Sequence, residues 1–560
     1  MTDLIAERIE AEIQSDAAGS DARKHRLPRL LALLPGAGVG LAMIWTSGIV
    51  TPNGRVFTLV DDALISMSYA RTFVETGEFV WFPGAPKVEG ISNPLWALIM
   101  TIPQALGLSD SASCLVMSLV GLGCVLGAAF LAGGLAVRML DTGRAEGTAG
   151  AVAAGLATAT VGLGWPLLFW SVFGLEVGFV ALLTVAAIAL ALRSAARELS
   201  VRSLLAVGGV LAIGLLTRPD FAVVAGALGL WAVALPARAV APPGQALAVP
   251  PRWQRAAAVW SLPVLAAILL TIARLTYYGA ILPNTYTLKM SGSSALERIG
   301  RSWSIHHELL IWGILTAAAA VLLARRTGVA QRLAVILVVG TAALLAAYAL
   351  YNGGDAFRPD RFTASAWMLA TTLLVTAAVR AAGGRTALGI TAAGLAGLLA
   401  LGLSSLDGYR DWVATGAALP KLDDVGFRDS HTLADVTSPD AVIAVYGAGA
   451  PVYWGHLAAI DLLGKVDPAV AGGARKRPTP LPGHDKWDYT HSIIEGQPDI
   501  VLADLLSPNS LQALYFPASA AETAQIAATY DRSCVGETVI LVRKDSTKVD
   551  RAKLVACPVN

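Results

Sequence analysis

Charge is scarce in this sequence. Only 15% of its 560 residues are Asp, Glu, Lys or Arg, against 55% hydrophobic, where a soluble domain carries about a quarter charged. With a mean hydropathy of +0.60, the composition excludes a soluble globular protein and leaves a membrane protein. Basic and acidic residues nearly cancel, 42 against 40, for a net charge of +2. No nucleic-acid surface is encoded, and the arginines inform through their positions along the chain. The four cysteines and seven histidines form no cluster at metal-ligand spacing and there is no Asp-x-Asp, so no metal or other cofactor is expected. Repeats are lacking, and the one biased tract is the linker PARAVAPPGQALAVPP at 236–251.

What is present in abundance is apolar length. Crossing roughly 30 Å of hydrocarbon takes about 20 residues, and eleven stretches qualify: 29–50, 111–137, 148–170, 175–193, 203–217, 219–237, 256–277, 308–324, 331–351, 363–381 and 386–404. The segment 93–109 is short and carries two prolines. The positive-inside rule decides its status. If it does not span, the clusters at Arg138 and Arg144, at Arg193, Arg197 and Arg202, at Arg238, Arg252 and Arg255, at Arg325, Arg326 and Arg332, and at Arg380 and Arg385 all share a side with the charged tail 1–28. Counting it as a span puts every cluster outside. The expectation is a multi-pass protein of a bacterial inner membrane: an N-terminal cytoplasmic tail 1–28, a transmembrane domain 29–404 whose first extracytoplasmic loop is 51–110, and an extracytoplasmic domain 405–560.

That last part has a different grammar. AVIAVYGAGAPVYWG, PDIVLAD and GETVILVRK are short β-rich runs, and SLQALYFPASAAETAQIAATY is helix-like, which predicts a small α/β domain. Outside the cytoplasm, Cys534 and Cys557 are candidates for a disulfide. Cys114 and Cys124, in an apolar stretch, are expected simply to pack.

The polar residues of the transmembrane part gather in the loops opposite the arginine clusters. Asp61, Asp62, Glu176, Arg218, Asp220, Lys289, Asp355, Arg358 and Arg361 converge on one membrane surface, where charge is costly unless it pairs or serves function. A cleft on the outer face accounts for them. In DDALISMSYARTFVE, Asp61 and Asp62 open a helix. Adjacent carboxylates repel, and burial raises the pKa of the less solvated one, as suits a general base; either is equally a helix cap. Glu89 reads as an acceptor that braces the loop, Glu176 as a dipole-favoured cap, Asp220 as the partner of Arg218 or a cap, and Asp355 as a turn residue after Gly353-Gly354. His306 and His307 read as interface anchors.

The motifs carry a resemblance. DD followed by an aromatic-rich helix, then VEGISNPLW, resembles the first periplasmic loop of the GT-C membrane glycosyltransferases, with Phe82-Pro83-Gly84 where Asn-Pro-Gly is usual and Ser68 where Arg is common. FGLE at 173–176, LTRPD, LPNTYTLK and GGDAFRPDRF follow in the same order, and DLLGKVDPAVA and PGHDK match the tail. The resemblance spans nearly the whole chain and is nearest to the group of the mycobacterial terminal arabinofuranosyltransferases. It implies a polytopic α-helical membrane protein of GT-C type, about 11 transmembrane helices with a C-terminal extracytoplasmic α/β domain. It further implies transfer of a sugar, arabinofuranose first and mannose or another hexose next, from a polyprenyl-phosphate donor to a cell-envelope glycan or glycoconjugate. Asp61 or Asp62 is the implied base. Lys289, Arg358 and Arg361, then Arg218, are the phosphate-binding candidates, and Glu89, Asn93, Glu176, Asn284, Asp355 and His484 the substrate-binding or supporting ones. Two rivals are a lipid-linked-sugar transporter or flippase, which places its charges at the bilayer midplane in repeated halves, and a silent assembly partner.

Overall fold

The computed structural model describes residues 25–140, 147–197, 199–235, 250–325, 328–355, 360–382, 386–418, 421–474, 476, 477, 481 and 483–557. The N-terminal tail 1–24, most of the proline-rich linker, and Arg144, Arg238, Arg326, Arg385 and Arg358 lie outside the described residues.

Each of the eleven apolar stretches contains a helix. Arg26–Thr46, Asp110–Met139, Val177–Ala196, Arg252–Tyr278, Val329–Asn352, Ala364–Ala381 and Ala387–Thr415 are long and apolar enough to cross a membrane. Val201–Thr217 and Pro219–Ala234 are apolar but shorter. The remaining two stretches depart from straight spans. Thr148–Gly162 continues into Trp165–Val172 with a 50° bend, where Gly164 and Pro166 interrupt the ladder of backbone hydrogen bonds. Glu308–Ala324 is preceded at 83° by Ala295–Ile305, an amphipathic helix that exposes Leu296, Ile299 and Trp303. The expected span 29–50 ends early, since 49–51 pairs with 54–56 as the antiparallel hairpin β1 (Ile49–Thr51) and β2 (Gly54–Val56).

Small residues bring the helices together. Asp110–Met139 buries Gly121, Ala128, Ala129, Ala132, Gly133 and Ala136, a face that lets neighbouring backbones approach where lipid offers no hydrophobic drive between helices. The doubtful segment forms the 12-residue helix Pro94–Ala105, with Pro103 inside it, and at about 1.5 Å per residue it falls far short of the hydrocarbon thickness. The last long helix runs on to Thr415, past 404, because Asp407, Arg410 and Asp411 end the apolar run without breaking the helix.

The C-terminal domain is a five-stranded mixed sheet of order β4-β3-β5-β7-β6, from β3 (Val442–Val445), β4 (Ala458–Asp461), β5 (Ile500–Val501), β6 (Tyr530–Val535) and β7 (Thr538–Arg543). β3 is parallel to β4 and β5; β7 is antiparallel to β5 and β6. The three β-rich runs supply β3, β5 and β7, and the helix-like run supplies Leu511–Tyr515 and Ala520–Thr529. Strands β4 and β6 are not legible in the sequence: β4, AAID, has one β-branched residue, and β6, YDRSCV, has three polar residues in a row. Cys534 and Cys557 are joined by a disulfide; Cys114 is buried and free.

One face of this sheet is not its own. Ile443, Val445, Ile500, Ile540 and Val542 share a hydrophobic core with Ile65, Tyr69, Val80, Trp81 and Ile91 of the first polar loop. The sheet therefore completes its burial only against that loop.

Candidate active site

The helix Asp61–Thr76 begins without a side-chain cap at Val60, carries both aspartates in its first turn, and ends on Gly77 in the left-handed conformation. Carboxylates in the first turn suit the helix dipole. Every residue from 63 to 72 is buried, so the loop around this helix is packed on all sides. Successive residues on a helix point about 100° apart, and the two aspartates accordingly meet different surroundings.

Asp61 faces the C-terminal domain. Its Oδ1 accepts from the backbone N–H of Gly449 at 3.0 Å and of Ala450 at 2.8 Å. Asp62 faces a cleft that opens to solvent. There it accepts from Arg361 Nη1 at 2.9 Å and from Lys465 Nζ at 2.6 Å. Arg361 in turn pairs through Nε with Asp355 at 2.9 Å. Gly353 and Gly354, at φ +92° and +82°, form the left-handed turn that delivers Asp355 from the end of the Val329–Asn352 helix.

A second chain of polar contacts runs along the cleft. Ser66 donates to Asn93 at 2.9 Å, Asn93 donates to Glu176 at 2.7 Å, Glu176 is bonded by Arg218 Nη1, and Arg218 Nε reaches Asp220 at 2.9 Å. Asp220 thus pairs with Arg218, and Glu176 does more than cap its helix. The Phe362 ring is approached by three cations: Arg218 at 5.2 Å, Lys289 at 5.3 Å and Arg361 at 5.5 Å from its centroid.

The cleft brings together Asp62, Asn93, Glu176, Arg218, Lys289, Asp355, Arg361 and His484. Three other candidates lie behind its walls. Glu89 is buried in a bidentate pair with Arg274, at 2.6 and 2.9 Å, the bracing role its position suggests. Asn284 donates to the carbonyls of Gly464 and Lys465, holding the segment that carries Lys465. Asp61 is at the domain junction.

Sequence reasoning missed Lys465, Arg301 and Asn352, which also line the cleft. Lys465 stands inside DLLGKVDPAVA, yet no periodicity or spacing connects it to an aspartate 403 residues earlier. His306 is a correction: it is buried, with Nε2 2.6 Å from Asp360 and Nδ1 3.5 Å from Glu308, rather than anchored at an interface. Burial opposes its charge, but the two carboxylates raise its pKa to about 9. The backbone breaks here, and the ring lies between Asp360 of a loop and Glu308 at the start of the next helix.

The electrostatics divide the pair of aspartates further. Burial pushes the Asp61 carboxyl up, more than Lys465 and two backbone donors bring it down. Burial works on Asp62 too, but Lys465 and Arg361 hold it well below the usual carboxylate range. Asp355 is pushed up by burial against the pull of Arg361. Among the described residues, Lys289 is the cation of the cleft with no ion-pair or hydrogen-bond partner for its ammonium. Burial and the nearby Arg361 bring its pKa down to about 8.

Residues 423–545 match the model of a domain of unknown function, DUF8728. No curated protein sequence matches the chain. Among solved structures, the chain is similar to the oligosaccharyltransferase AglB of Archaeoglobus fulgidus in complex with an inhibitory peptide and a dolichol-phosphate. The TM-score is 0.51 at 12% identity, over 93% of this chain and 74% of that one. The same enzyme tethered to an acceptor peptide gives 0.50 at 12%, over 91% and 72%, and in its apo form the match spans 64% of the archaeal chain. ArnT of Cupriavidus metallidurans gives 0.43 at 14%, over 91% and 97%. At such identities the likeness speaks for architecture alone: this chain has a GT-C fold, a polytopic α-helical membrane domain carrying a C-terminal α/β domain.

Proposed function

We propose that the protein is a lipid-phosphate-dependent glycosyltransferase. It moves a sugar, arabinofuranose in the first instance and mannose or another hexose in the second, from a polyprenyl-phosphate donor to a hydroxyl of a cell-envelope glycan or glycoconjugate. The work is done at the outer face of a bacterial plasma membrane, with the N-terminal tail in the cytoplasm and the C-terminal domain outside; the disulfide supports an oxidising compartment for that domain.

The observation that carries the reading is the pairing, in one cleft, of a carboxylate flanked by cations and a lysine that, among the described residues, pairs with no carboxylate. A donor phosphodiester bears one negative charge. When the bond from its oxygen to the anomeric carbon breaks, the electron pair stays on that oxygen and the leaving polyprenyl phosphate carries two. Lys289, Arg361 and Arg218 are placed to hold that growing charge, which is where fixed cations accelerate a reaction. The acceptor oxygen forms the new bond to the anomeric carbon and gives its proton to Asp62. A bound phosphate competes with Asp62 for Arg361, so donor binding raises the basicity of a carboxylate that is otherwise held low. Asn93 and Glu176 orient the wall beneath the sugar, and His484 faces the acceptor from the C-terminal domain. The neighbour AglB has been solved with a dolichol-phosphate, a ligand of the proposed donor's class.

The test is purified protein in lipid nanodiscs with polyprenyl-phosphate arabinofuranose or polyprenyl-phosphate mannose and an envelope glycan. Turnover with one donor, abolished by Asp62→Asn, supports the proposal. Translocation of the lipid without turnover makes the protein a flippase, and binding with neither makes it an assembly partner.

A further inference from the structure

The short helix Ala450–Gly455 of the C-terminal domain lies along the Asp61–Thr76 helix, and both of its ends are met by charge from that one neighbour. At its start, Asp61 accepts from the N–H groups of Gly449 and Ala450 at 3.0 and 2.8 Å. Toward its end, Arg71 donates from Nη1 to the carbonyl of Tyr453 at 2.5 Å and from Nη2 to that of Val452 at 3.1 Å. A carboxylate at the amino end and a guanidinium at the carboxyl end are the signs the helix dipole favours. The fit is close: a Cβ on Gly449 would collide with the Asp61 carbonyl oxygen. Arg71 is buried and is steadied by Asp110 at 3.9 Å, which also receives His456 at 3.1 Å.

We infer that Asp61 and Arg71 form a two-ended clamp that docks the C-terminal domain in the register at which Lys465 reaches Asp62. Asp61 is then a positioning residue, and the adjacent aspartates divide the labour: the first holds the domain, the second opens onto the cleft. Lys465 Nζ is bonded to Asp62 at 2.6 Å, and Asn284 fixes the backbone that carries it, so a slip of the domain at the clamp withdraws the lysine from the carboxylate. The part of this inference that concerns turnover rests on the function proposed above; the docking does not.

Asparagine caps a helix as well as aspartate does but takes up no proton, whereas alanine does neither. Hydrogen exchange of the segment 449–456 is measured in the full chain in nanodiscs, together with turnover of the donors named above. Asp61→Asn is expected to leave exchange unchanged and to keep most of the turnover. Asp61→Ala speeds exchange about fivefold or more and lowers turnover with it, and Asp62→Asn loses turnover with the segment still protected. Turnover abolished in Asp61→Asn while protection persists would make Asp61 the base and overturn the inference, as does unchanged exchange in Asp61→Ala. Should that variant not fold, Arg71→Lys reads the clamp from its other end: it keeps the charge but loses one carbonyl bond, and unchanged exchange there overturns it equally. If the unaltered protein turns over no donor, the proposed function fails and the exchange comparison still decides the clamp.

Discussion

The junction behind Asp61 and the cleft in front of Asp62 are built from the same kinds of residue and put to opposite ends. At the junction, Asp61 and Arg71 are answered by backbone groups of a single short helix, and behind the cleft wall Glu89 is answered by Arg274, so these charges have partners at fixed distances. In the cleft, Asp62 is shared by two cations, while among the described residues the Lys289 ammonium meets the face of Phe362 and no carboxylate. A buried charge with its partners in place holds structure together. One left incompletely matched is kept for a partner that arrives from outside.

The sharpest way to break this contrast is to neutralise the cleft carboxylate. Asp62→Asn is expected to lower turnover about 10³-fold, the scale of a lost general base, with thermal stability scarcely changed; an active variant would move the chemistry elsewhere. Behind the cleft wall the order of effects reverses. Arg274→Met leaves Glu89 buried and unpaired at a cost of about 3 kcal/mol, read as a fall in the unfolding midpoint of the detergent-solubilised protein. Lys289→Met is expected to cost about 10²-fold in kcat/KM with the fold intact, since among the described residues its ammonium is in no ion pair or hydrogen bond.

The smallest effect is the most specific. With the Lys289 pKa near 8 in the donor-free protein, the ammonium that binds phosphate is present below pH 8 and lost as pH rises through it. Donor affinity should therefore fall by up to about tenfold per pH unit above 8, and bound phosphate should move the midpoint upward. Lys289→Met should flatten that profile; a profile that persists in the variant assigns the titration to another group.

The sequence shows some parts of this cleft plainly and hides others for definable reasons. Glu176, Arg218, Lys289, Asp355 and Arg361 stand out because charge beside hydrocarbon is rare, and the arginine clusters assign the loops they occupy to one side. Lys465 did not stand out, since a lysine in a polar domain is ordinary and its partner is 403 residues distant. Arg71 was hidden inside an amphipathic pattern, where it reads as the solvated face of a helix; in the fold that face is covered by the C-terminal domain. The bends at Gly164 and His306 also escaped notice, because hydropathy averages over a window and does not register a break in the backbone.

What the sequence determined by itself is where the apolar helices lie along the chain, the shortness of 93–109 and the presence of an α/β tail, because the thickness of hydrocarbon and the two-residue repeat of strands write themselves into local composition; the bends and exact ends of those helices it did not determine. Which of two neighbouring aspartates faces the cleft was decided only by the tertiary structure. Adjacent helix positions differ by about 100° in direction, and the rotation that aims one at solvent and the other at a distant domain is set by packing contacts that no local stretch of chain contains.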